Sequence, residues 1–209
     1  MKKIGQGLSY SVFEISGDRV MKKPTFYFYK FFKLLFWSVR YRFNFSLVRK
    51  LSLIISSGKK SIDILRKNFE SINLNIIGNP VFCDSLEYSQ DKVIILRDYF
   101  KLHSFEENKK IVNLYIENIF NTWRNGFSDV DFNFAMNSGV NSFGDVVLAD
   151  INGLSFLKNE VFELICEKVW LNKHSFLVLD DLDLKNYFKV EMEKNVTVLN
   201  LEKYWKNLI

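Results

Sequence analysis

The chain has 209 residues, 48% hydrophobic and 25% charged, a globular balance that excludes a disordered polymer. Lys and Arg outnumber Asp and Glu by 29 to 24, a surplus that favours anionic partners only where it is clustered. Two histidines exclude catalysis built on several imidazoles, and Cys83 and Cys166, lacking CxxC spacing, read as reduced core thiols and not as a zinc site.

The opening MKKIGQGLSYSV is cationic but has no apolar run of signal-peptide length. No stretch reaches the roughly 18 uninterrupted apolar residues of a spanning helix. A cytoplasmic protein is expected, with a peripheral place on the inner membrane face as the alternative. Residues 4–23 alternate like a hairpin, with Val12, Phe13 and Ile15 before a Ser16-Gly17-Asp18 turn and Arg19 to Lys22 after it. Within it, Gly5 and Gly7 let backbone amides approach phosphate oxygens closely, and Lys22 ends a β-like run where a cation could clamp phosphates.

Residues 25–72 predict helix, with Leu47, Val48, Leu51, Ile54 and Ile55 at three- and four-residue spacing. Between residues 22 and 50 there are eight basic residues and no acid, among them Lys30, Lys33, Arg40 and Arg42, interleaved with aromatics such as Phe31, Phe36 and Trp37. Such a segment suits an anionic membrane surface or a lipid-linked glycan through residues 26–50. Stacking on single-stranded nucleic acid is a less favoured reading, and a helix with buried rings and solvated cations is the plain one.

Strand character returns at Ile76-Ile77, Val81 to Cys83 and Val93 to Leu96, the last two expected to form a hairpin about Ser89-Gln90-Asp91. Residues 104–124 predict a helix with Ile111, Leu114, Tyr115, Ile119 and Phe120 on one stripe. After Gly126 comes a loop crowded with Asp129, Asp131, Asn133 and Asn137, then a short apolar strand ending at Asp150. Oxygen ligands for magnesium and a carboxylate for an accepting hydroxyl are what phosphoryl transfer requires. An Asx-rich loop capping its own backbone is the alternative. Residues 157–209 predict helix, with an extended patch at Phe176 to Leu179. The order of elements predicts an α+β fold.

In this order the chain resembles the protein-kinase-like superfamily, and within it small bacterial members such as lipopolysaccharide-core sugar kinases and YrbL-type proteins. The resemblance rests on GxGxxxxV at Gly5, Gly7 and Val12, on Lys22, on hinge-like Leu96 to Phe100, and on Asn137 standing thirteen positions before Asp150. It implies a two-lobed fold, with a small β-rich N-lobe over about 1–98 and a reduced, mostly helical C-lobe over 99–209. It further implies an ATP- and Mg2+-dependent phosphotransferase acting on a small or lipid-linked sugar hydroxyl; the alternative is a pseudokinase that binds a partner or membrane. Gly5, Gly7, Val12 and Lys22 would hold nucleotide, Lys22 and Asp131 would be catalytic, and Asn137 and Asp150 would hold metal. A second register offers Asp129 as base and Asn133 as ligand. The chain departs from the pattern in four respects: Asn137 lies six residues after Asp131 instead of five, Asp129 stands in place of a histidine, Ile151-Asn152 in place of Phe-Gly, and Tyr10 in place of the third glycine. The lysine's acidic partner is open between Asp63 and Glu70.

Overall fold

A computed structural model describes residues 1–6, 10–25, 58–84, 86–173, 176 and 179–208. Three strands open the chain as a meander: β1 (Lys2–Gln6), β2 (Tyr10–Ser16) and β3 (Arg19–Pro24). The turn between β2 and β3 falls at Gly17 and Asp18, where the Ser16 hydroxyl donates to Asp18 Oδ1 at 2.8 Å. Residues 58–67 form α1, so part of the expected 25–72 helix is present; residues 26–57, which hold most of the basic aromatic segment, lie outside the described residues.

Ile76 and Ile77 do not form a strand. They belong to a 3-10 turn, Leu74–Ile77, that Asn73 caps through its side chain and that Gly78 ends in a left-handed conformation (φ 68°). The expected turn at Ser89-Gln90-Asp91 is also a strand, β5 (Tyr88–Asp91), which pairs with both β3 and β4 (Val81–Phe82). Its polar residues look turn-like in sequence because they serve Arg19, which donates to Asp91 at 2.9 Å and to Ser89 at 3.0 Å. The result is a five-stranded antiparallel sheet in the order β1-β2-β3-β5-β4.

Ile94–Ile95 (β6) joins a separate sheet, pairing with β8 (Ser138–Val140), which pairs in turn with β9 (Val146–Leu148). Leu96 therefore starts a helix, α2 (Leu96–Leu102), and does not end a strand. The long α3 (Phe105–Arg124) begins at a capping box in which Ser104 and Glu107 satisfy each other's backbone. Ile111, Tyr115, Ile119 and Phe120 are buried as its periodicity requires, while Leu114 falls off the stripe and is 43% exposed. A two-stranded ladder, β7 (Ser128–Asp129) with β10 (Leu154–Ser155), a short α4 (Phe134–Asn137), and α5 (Lys158–Cys166), α6 (Leu182–Asn195) and α7 (Val198–Tyr204) complete the fold. The chain is thus mixed α+β. Of the extended patch expected near 176–179, Phe176 is buried in the helical half, and Leu177 and Val178 lie outside the described residues.

Apolar burial divides into two clusters. One is built on α3 and α6, with Trp123, Phe134 and Phe188 among its fully buried rings. The other lies between the five-stranded sheet, α1 and β9–β10, and joins Tyr10, Ile62, Leu65 and Tyr88 to Leu148, Ile151 and Leu154. Each such side chain contributes roughly 1.5–3 kcal/mol when removed from water. The second cluster therefore ties elements before residue 98 to elements after it. Neither cysteine is in a core: Cys83, just after β4, and Cys166, the last residue of α5, are free and exposed.

Gly126 links α3 to the acidic loop at φ 73°, and a Cβ there would lie 2.6 Å from the Lys206 carbonyl. Both the backbone conformation and the C-terminal segment folded over it demand glycine. Gly126→Ala is expected to destabilise the protein by about 1–3 kcal/mol, read as a lowered midpoint in urea unfolding at unchanged slope.

Candidate functional site

Lys22 lies on β3 opposite Val12 of β2 and Tyr88 of β5. Its Nζ is half-buried, sits 5.6 Å from the centre of the Tyr88 ring, and donates to the carbonyl of Ala149. A lysine near the start of the chain thereby reaches the residue before Asp150. Burial lowers the Lys22 pKa, and the Asp150 carboxylate works against that shift. Burial also raises the Tyr88 phenol well above its ordinary value, with Asp150 and then Tyr10 adding to it.

Asp150 is positioned from two directions. Its backbone N–H and that of Ala149 both donate to the Asn137 carbonyl, at 3.1 and 2.7 Å. Its Oδ1 accepts from the backbone N–H and the side-chain amide of Asn152, at 3.0 and 2.8 Å.

The acidic loop is organised about Asp129. This residue, on β7 opposite Leu154, is 9% exposed. Oδ1 accepts from the Asp131 N–H at 2.8 Å, and Oδ2 accepts from the Asn137 side-chain amide at 3.2 Å. Asp131 by contrast has a side chain that is 60% exposed, with Lys173 Nζ 3.3 Å from Oδ1. Between Asp131 and Asn133 the chain passes through Phe132 at φ 45°, a left-handed conformation that is unfavourable for a bulky residue. The ring is held there by burial (1% exposed) against Trp170. Asn133 is the residue just before α4, and its carbonyl accepts from the Met136 and Asn137 N–H groups.

Burial raises the Asp129 carboxyl to about 7, with the Asp131 charge next in importance and Asp150 adding a smaller push. Its bonds from Asp131 N–H and the Asn137 amide act in the opposite sense.

Of the residues singled out from sequence, Lys22, Asp129, Asp131, Asn137 and Asp150 are brought together. Gly5 lies in β1 across from Val12, at a register shift, and a Cβ there would meet Val12 at an ordinary 3.7 Å. Gly7 lies outside the described residues. Neither Asp63 nor Glu70 pairs with Lys22 among the described residues. Asn133 takes part through its backbone, and its buried Oδ1 has no partner among the described residues. Asn152 was not anticipated from sequence, although an amide two residues after an aspartate and before a glycine is the pattern of an Asx turn.

Asp150 and Asn137 are the residues that could hold a magnesium ion. Asp150 and Asn137 offer hard oxygens, and the carboxylates of Asp131 and Asp150 crowd negative charge about Asp129. Among the described residues no three His, Cys, Asp or Glu side chains gather as a metal cage. Magnesium does not need one, because it takes one or two carboxylates and fills its shell with water and substrate phosphates.

A carboxyl that keeps its proton to about 7 when folded, but loses it near 3.8 when unfolded, binds more protons in the native state between those values. Its contribution to stability is therefore complete below about 3.8 and is lost as pH rises towards 7. Without divalent cation, Asp129→Asn is expected to stabilise the protein at pH 8 relative to wild type and to leave it little changed at pH 4. Urea denaturation at the two pH values checks this, and an equal effect at both would refute it.

No protein-family model matches the chain, and no curated protein matches it.

Proposed function

We propose that the protein is an ATP- and Mg2+-dependent phosphotransferase of the protein-kinase-like type, with a β-rich N-lobe and a reduced helical C-lobe. The observation that carries this reading is the convergence of Lys22, from the first sheet, with Asp150 and the hydrogen-bonded set Asp129, Asp131 and Asn137 from the second half of the chain. Nucleotide-dependent phosphoryl transfer needs a cation for the phosphates, oxygen ligands for magnesium and an exposed carboxylate for the acceptor.

In this reading Lys22 meets the phosphates, and Gly5, Gly7 and Val12 would line the nucleotide. Asp150 and Asn137 would hold magnesium, which when bound neutralises charge on the phosphates. Asp131, exposed and fixed through its N–H, orients the acceptor hydroxyl. Asp129, with both oxygens engaged, is a poorer base than Asp131 and a better support. The basic aromatic run of residues 26–50 favours a lipid-linked sugar as acceptor over a protein. A pseudokinase reading, in which the same cleft binds a partner without transfer, is favoured by one observation: no helix acid pairs with Lys22 among the described residues.

ATP with magnesium is expected to raise the melting temperature by several degrees, since ligand at a hundredfold its Kd stabilises by about 2.7 kcal/mol. Unchanged melting at millimolar nucleotide would remove the nucleotide assignment. Asp150→Asn is expected to abolish the magnesium dependence of that shift. Asp131→Asn is expected to keep the shift but to slow transfer by roughly 10²–10⁴-fold; a pseudokinase would show the shift and no transfer in wild type. Replacing Lys30, Lys33, Arg40 and Arg42 with Gln is expected to reduce co-sedimentation with phosphatidylglycerol vesicles, and unchanged pelleting would count against the lipid-linked acceptor.

A further inference from the structure

In the resemblance, the helix after the lysine strand supplies the lysine's acidic partner; here α1 supplies none, and its attachment to the site is of another kind. Gly58, at the start of the described helix, is buried against Asn152, and a Cβ added there would lie 2.7 Å from Asn152 Oδ1. One turn on, Ser61 is 1% exposed. Its Oγ accepts from Leu154 N–H at 3.1 Å and lies 3.4 Å from the Leu154 carbonyl, to which it donates. Ile62 and Leu65, on the same face, share a core with Ile151 and Leu154. The helix is therefore fastened to residues 151–154, immediately after Asp150.

Asn152 is the link inward. Its backbone N–H and its side-chain amide both occupy Asp150 Oδ1, which fixes the carboxylate plane and leaves Oδ2 as the oxygen free of these bonds. A cation that requires near-ideal octahedral geometry is sensitive to such fixing. Groups that orient a metal ligand typically change metal affinity by about 10–100-fold when removed.

We propose that Asn152, seated on Gly58 and braced by the Ser61–Leu154 pair, is a positioning residue that orients Asp150 for a divalent cation. Through this contact α1 acts on the site, in place of an ion pair with Lys22. The inference rests on the phosphotransferase reading.

The test is the magnesium dependence of ATP binding by the full chain, followed by calorimetric titration. Asn152→Ala is expected to raise the half-saturating magnesium concentration by about 10–100-fold while leaving magnesium-free ATP binding unchanged. A merely structural lesion would weaken both. Gly58→Ala is expected to shift the magnesium dependence in the same direction, and Asp63→Asn and Glu70→Gln to leave it at the wild-type value. Should Gly58→Ala or Asn152→Ala fail to fold, Ser61→Ala and Asn152→Ser provide the same comparison. Ser61→Ala also carries a nucleotide-free readout: faster hydrogen exchange at the Leu154 amide. Wild-type magnesium dependence in the Asn152 variants, or an equal shift in Asp63→Asn or Glu70→Gln, would overturn the inference alone. Absence of ATP binding in wild type at every magnesium concentration would overturn it together with the reading on which it rests.

Discussion

Placing the Asp129 carboxyl inside the protein costs several kcal/mol unless its oxygens are met by donors, and the shape of the acidic loop follows from how they are met. One donor is the Asp131 N–H and the other is the Asn137 amide, so one buried group fixes both ends of the loop. Asn137 then passes the constraint on, because its carbonyl accepts from Ala149 and Asp150 together. The strand that delivers Asp150 is in this way registered against the loop that presents Asp131. The buried carboxylate thus fixes the backbone that carries the exposed one.

Among the described residues, acidic charge outweighs basic charge at the site. The Asp131 and Asp150 charges disfavour ionisation of Asp129, and among the described residues Lys22 lies near Asp150 and Lys173 near Asp131. The Asp129 carboxyl relieves part of the excess by holding its proton to about 7. A divalent cation would relieve it differently, by stabilising all the carboxylates in their charged form. Proton and cation therefore compete for the same charge. In the proposed reading the Asp129 carboxyl holds its proton in the resting site below about pH 7, and a bound cation would favour its release.

Much of the scaffold was legible in residue order because it is set by neighbours. The β2–β3 hairpin follows from a Ser-Gly-Asp turn between alternating runs, and α3 from its 3.6-residue stripe behind a Ser104–Glu107 capping box. The misreadings arise where the deciding partner is distant. Ser89, Gln90 and Asp91 have turn composition, yet Arg19, some seventy residues away, makes them a strand. Ile76 and Ile77 have strand composition, yet Asn73 and Gly78 close them into a 3-10 turn. At the candidate site, Lys22, Asp131, Asn137 and Asp150 stand out by type and order. Asn152 and Ser61 do not, since the meaning of each depends on a contact that only the folded chain makes; for Ser61 it spans 93 positions.

The spacing of the loop is the strongest sequence-level argument against function, and the geometry changes its weight. Asn137 lies one residue further from Asp131 than the kinase pattern allows. An extra residue in a loop must either displace the groups beyond it or be absorbed by an unusual backbone conformation. Phe132 enters the left-handed region at φ 45°, and α4 then tightens residues 134–137 into a single turn. Such a conformation persists in a bulky residue only where its surroundings over-determine it, as the burial of Phe132 against Trp170 does. Asn137 emerges still bonded to Asp129 and still holding the Ala149–Asp150 backbone. The irregular count is thus taken up before Asn137, and in the proposed reading it fits a locally rebuilt site better than a lost one.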